Sequence, residues 1–160
     1  MKKLNFLSNI KRQRGQSLVE LAISLTVILM LLSGAVDFGM AFFSYTAMRD
    51  AAQEGALYGS FHPVDGQGNL DAQGIINRVE KSSTSPIDFS DSSKVRILVS
   101  PTNGVTEACQ GIGANGTANG IQVTLEYNYP IIMPFLGVII GSQTIPLTAT
   151  VTDTILSPQC

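Results

Sequence analysis

Histidine and cysteine are scarce in this chain and acidic residues are absent ahead of Gly15, and each shortage argues against a class of function. His62 is the single histidine, and Pro63 follows it in a turn-forming stretch. With no G-x-S-x-G run and carboxylates scattered along the chain, no arrangement for nucleophilic or metal-assisted catalysis is present. The chain is read as non-enzymatic, with no cofactor and no small-molecule substrate. Cys109 and Cys160 are the only cysteines, and neither has a second Cys or a His close by, as a structural zinc site needs. In an oxidising compartment they are a candidate disulfide; the alternative is two separate thiols, one in a loop and one near a terminus.

Charge is also missing in an ordered way. No Asp or Glu lies among Lys2, Lys3, Lys11, Arg12 and Arg14, whereas the segment after Gly15 holds all twelve Asp and Glu against five Lys and Arg, a net −7. An acidic body lacks the basic face that a nucleic-acid partner requires. The positive-inside rule places the first fourteen residues in the cytoplasm and the rest across a membrane. Between Leu21 and Val36 there is no charge at all, a run of sixteen residues. As a helix that run spans about 24 Å, and its apolar neighbours Leu18, Val19 and Phe38 to Phe43 extend it to the roughly 30 Å of a hydrocarbon core. Glu20 stands at its mouth, where a charged group costs roughly 2.5–3.5 kcal/mol on insertion scales and therefore points to a partner. A secretory signal peptide cut near Ser33-Gly34-Ala35 and an ordinary permanent anchor are the competing readings. The acidic residue and the helical pattern running past Ala35 argue against the first.

Length suits one small domain plus an anchor. No proline interrupts residues 37–60, and Ala51, Gly55 and Gly59 recur every four residues, a spacing that lets a second backbone approach closely. The apolar first half of this helix is expected to face other subunits and the Ala/Gly half its own domain. His62-Pro63 ends it, and residues 63–69 form a turn-rich loop. Asp65, Gln67, Asn69 and Asp71 alternate faintly like a calcium loop, but Leu70 and Ile76 occupy the positions where Gly and Glu are needed. A short amphipathic helix is expected from Leu70 to Ser82, with Ile75, Ile76 and Val79 inward, then a polar loop from Ser82 to Ser93.

Alternating patterns predict strands at Lys94–Val99, Ile121–Tyr129 and Gln143–Ile155. Gly111, Gly113 and Gly116 have dinucleotide-loop spacing, but a strand follows them where a helix would be required. Asn115-Gly116-Thr117 is a lone glycosylation triplet. Residues 130–141 are mostly apolar, yet too short and too broken by Pro and Gly to span a bilayer. They are read as a loop folded over the sheet or as an exposed contact surface. The expected fold is α+β: a long N-terminal helix packed by its second half on a three-stranded antiparallel sheet, with one short extra helix. The expected divisions are 1–15 as leader, read as irregular over residues 1–14, 16–60 as the membrane and assembly helix, and 61–160 as the extracytoplasmic domain.

Arg14-Gly15-Gln16-Ser17-Leu18-Val19-Glu20-Leu21 resembles the R-G-x-x-x-V-E-F start of the TadE-like pseudopilins of tight-adherence (Tad) type IV pilus systems. Gly34 to Gly39, and Ala51 to Tyr58 against the family's A-A-R-E-G-A-R-Y run, are similar as well; Thr26 stands where many relatives carry proline. The resemblance implies a minor pseudopilin cut by a prepilin peptidase at the bacterial inner membrane. Gly15 is then the cleavage position, Gln16 the new amino terminus and Glu20 the assembly carboxylate. Its implied partners are the inner membrane, the prepilin peptidase, other Tad pilins or pseudopilins and the pilus assembly platform, with the N-terminus cytoplasmic and a single membrane pass. A minor pseudopilin of a type II secretion system and a membrane-anchored adhesin or binding module are the alternatives.

Overall fold

The computed structural model describes residues 3–102, 119–133, 137–138 and 140–156, with side chains from residue 15 onward. Cys109 and Cys160, the glycine-spaced segment 111–116 and the glycosylation triplet all lie outside the described residues. The chain forms two units, Met1–Gly39 and Met40–Cys160. Helix α1, Lys3–Phe61, runs through the division between them.

Residues 3–14 belong to this helix and are not the irregular leader that their polarity suggested. Nothing before Pro63 is a proline, and Lys, Arg, Gln and Leu are all good helix formers. Pro63 sets the other end: it disfavours helical geometry at the residue before it and has no N–H to continue the ladder. The His62 N–H still reaches the Tyr58 carbonyl at 2.9 Å, and the helix stops.

The second half of α1 buries a narrow stripe through Met48, Ala51, Ala52, Gly55, Ala56 and Gly59. The glycines are there for space. A Cβ on Gly55 would sit 2.5 Å from Val79 Cγ2 and 3.7 Å from Val123 Cγ1, and one on Gly59 would sit 2.8 Å from Ile75 Cδ1 and 3.0 Å from Ile121 Cγ2. Each glycine costs about 1 kcal/mol of helix propensity relative to alanine, which the close seating of two other elements offsets.

One of those elements is α2, Ala72–Glu80. Asp71 caps it by accepting from the Gly74 N–H at 2.9 Å, and Ile75 and Val79 are fully buried. Ile76 is only half-buried, one step off the inward face. Arg78 reaches Glu54 of α1 at 2.6 Å, but both side chains are well exposed, so the pair orients α2 more than it stabilises it.

The other element is the antiparallel meander β1 (Val95–Pro101), β2 (Gly120–Pro130) and β3 (Thr144–Thr154), in the order β1-β2-β3. Its register sets Val95 opposite Tyr127, Val123 opposite Val151 and Tyr129 opposite Ile145. Period-two alternation therefore turns Val95, Ile121, Val123, Leu125 and Ala149 toward the core, and leaves Thr124, Thr148, Thr150 and Thr152 on the outer face. The loop from Ser82 to Ser93 departs from expectation, because Ile87 and Phe89 are buried in the core. Asp88 and Asp91 fold it around themselves, each accepting from a backbone N–H and a hydroxyl two residues on, at Ser90 and Ser93.

β2 runs antiparallel to α1: Gly55 lies by Val123, Gly59 lies by Ile121, and the Leu156 N–H donates to the Ser60 carbonyl at 2.9 Å. A valine at position 55 must displace α2, whose facing Val79 is stiff at χ1. We therefore expect Gly55→Val to cost about 1–3 kcal/mol in detergent unfolding measurements. The open site Gly39, with nothing within 4 Å of an added Cβ, should accept Gly39→Ala with a change of no more than about 1 kcal/mol, toward greater stability.

Candidate assembly site

Gly15, Gln16 and Glu20 lie on consecutive turns of α1, and all are solvent-exposed in the single chain. Gly15 has a helical backbone and open space around any added Cβ, so neither packing nor backbone geometry calls for glycine there. This separates it from Gly55 and Gly59, whose identities the fold explains. Gly34 and Gly39 share its openness. In the uncut chain the Gln16 nitrogen is an uncharged peptide N–H. Glu20 follows four residues later, about 6 Å along the helix axis.

On both sides of Glu20, α1 presents an apolar surface with no cover. Leu18, Leu21, Ile23, Leu29, Leu31 and Leu32 are all more than half exposed, and none of the most apolar window of the helix is buried. Bare apolar surface of this extent marks a membrane or protein interaction face. By length and composition this helix is able to cross a bilayer. It is unbroken at Thr26, where the hydroxyl donates to the Ala22 carbonyl at 2.8 Å and stays within the turn.

The other polar constellations are taken up internally. Asp65 Oδ1 accepts the Gln67 and Asn69 N–H groups at 2.9 Å each, so the faint calcium-like alternation is a closed side-chain turn. Among the described residues no three His, Cys, Asp or Glu side chains gather as metal ligands. Lys94 contacts Asp91 at 2.8 Å, and Arg96 reaches across to Glu126 at 3.6 Å. Sequence reasoning missed the inward turn of Ile87 and Phe89, whose only signal was two isolated apolar residues at i and i+2 within a serine-rich run. It also missed the Glu54–Arg78 link, which joins residues twenty-four apart and leaves no local pattern.

Residues 15–57 match a family model described as TadE-like protein. No curated protein and no solved structure matches the chain. The match covers α1 from Gly15 to Leu57, including both its bare apolar half and its buried Ala/Gly seam, and stops short of the sheet. This is the family that the Arg14 to Leu21 motif resembles. The match and the one membrane-length apolar helix among the described residues fall on the same stretch of α1.

A pH dependence follows from the turn that leads into β1. The hydrogen bond from the Lys94 ammonium, aided by the Ser93 hydroxyl and N–H, lowers the Asp91 carboxyl from 3.8 to about 2, and Asp91 in turn raises Lys94. A depressed carboxyl contributes stability above its unfolded value and loses it as pH falls. The unfolding midpoint of the native chain should therefore drop more steeply between pH 3.8 and about 2 than that of Asp91→Asn. Lys94 is exposed and Asp91 about one-third so, and added salt should therefore shrink the difference.

Proposed function

We propose that this chain is a minor pilin or pseudopilin of a Tad-type pilus, cut after Gly15 by a prepilin peptidase and then drawn into the base, tip or shaft of the fibre through α1. The observation that carries the reading is the family match over residues 15–57, which begins at the one leader glycine that the fold does not require. Cleavage there converts the Gln16 nitrogen from a peptide N–H to an ammonium and leaves Glu20 as the fifth residue of the mature chain.

The chemistry of assembly is then a pairing of opposite charges in an apolar layer. Two unit charges about 4 Å apart attract by roughly 4 kcal/mol at an effective dielectric near 20. The ammonium of one copy or partner pilin meets the Glu20 carboxylate of its neighbour, and a misregistered helix leaves that carboxylate unpaired among Leu, Ile and Val. Desolvation offsets much of the attraction, so the pair sets register while helix packing supplies stability. The protein acts without catalysis or cofactor: the reacting bond is in its own leader, and the peptidase cuts it. Its site is the inner membrane, with residues 1–14 cytoplasmic and the sheet domain on the other side.

Glu20→Ala and Glu20→Gln, expressed at native level, test this reading. Both should be processed normally, and both should lose co-purification with the other pilins by about tenfold or more, as loss of about 1.4 kcal/mol implies. Unchanged co-purification would favour a membrane-anchored binding module that never assembles.

A further inference from the structure

The unit Met40–Cys160 has a bare apolar end. α1 and β2 run antiparallel, so their positions along the unit are easily compared. The fifteen residues from Gly55 back to Met40 rise about 22 Å, and the seven from Val123 on to Pro130 about 23 Å. Pro130 and the start of β3 at Thr144 therefore lie level with Met40, where the membrane-length part of α1 joins this unit. At that level Met40, Phe42 and Phe43 are exposed on the helix, and Ile132, Val138 and Ile140 are exposed beyond the sheet, with Val138 77% accessible. No Asp, Glu, Lys, Arg or His occurs from Tyr127 through Thr152. Of the charged groups on the neighbouring turn, Asp91 and Lys94 are paired with each other, and Asp88 is held by the Ser90 N–H and hydroxyl.

We propose that these six side chains form an apolar collar that seats the unit on the boundary between lipid headgroups and acyl chains of the bilayer that α1 crosses. This rests on the reading of α1 as a membrane span. The chain itself supplies the argument for lipid over a second copy. Exposed apolar groups at the level where a membrane helix emerges already border the bilayer, and aromatic side chains favour that depth. An uncharged, apolar surface placed there loses water to lipid and gains by its buried area. The collar limits tilting of the unit about the emerging helix, and so presents the domain to neighbouring pilins in one orientation before extraction. A subunit leaving for the fibre must release it.

The chain has no tryptophan, so single-tryptophan variants report directly. The full-length protein would be placed in phosphatidylcholine vesicles with lipids brominated at defined depths, using Val138→Trp, Leu29→Trp within the span and Leu156→Trp at the far end of the sheet. We expect a roughly twofold loss of Val138→Trp emission from shallow bromine, matching a face held about 5–10 Å into the boundary, and no loss for Leu156→Trp. Adding Ile132→Asp and Ile140→Asp to Val138→Trp should abolish the quenching. If it persists, the new tryptophan is responsible and the collar is refuted. Unquenched, water-like emission from Val138→Trp also overturns the proposal. Blue-shifted but unquenched emission that reverts on diluting the protein in lipid overturns it in favour of a second copy. Failure of Leu29→Trp to be quenched refutes the membrane span itself, a separate result.

Discussion

The structure depends on how little space lies between α1 and the elements beside it over Ala51 to Gly59. Two glycines and three alanines let Val79, Ile75, Ile121 and Val123 come within van der Waals distance of a helix backbone. The core is therefore built around small residues on the helix and large ones on α2 and the sheet. This division of labour frees the other half of α1 from any duty to its own domain. The helix keeps one backbone geometry from Lys3 to Phe61 while its side chains change from bare and apolar to small and buried. One element thus carries a bare apolar surface in one half and a packed core face in the other.

The same contrast gives meaning to the glycines. Gly55 and Gly59 are explained by what an added Cβ would strike, whereas Gly15 strikes nothing. A glycine with no structural reason, five residues before a carboxylate in an apolar helix, is better explained by something outside the folded chain. Under the proposed function, cleavage after Gly15 and charge pairing at Glu20 supply that reason together. The proposed lipid-facing collar would add a holding step before assembly.

Much of this was legible in the sequence. Strong two-residue alternation at Ile121–Tyr129 and in the threonine-rich third strand gave the meander, and Pro63 gave the helix end. The helix–domain seam was visible as four-residue spacing of small side chains. Three features were not legible in the same way. Ile87 and Phe89 lie in a serine- and aspartate-rich stretch whose side-chain turns, not its periodicity, aim them inward. The helical start at Lys3 was obscured by polarity, although polar residues without Gly or Pro are compatible with helix. The Glu54–Arg78 pair depends on a tertiary approach of two helices that no local pattern encodes.

The proposed function turns on the Glu20 carboxylate being held for an amine that proteolysis creates. Intact mass measurement of the protein taken from its native membrane and from sheared fibres tests this most directly. A mature chain beginning at Gln16 is the predicted result. A chain in functional fibres that still begins at Met1 would contradict the pairing of Glu20 with a new terminus, and the register mechanism with it.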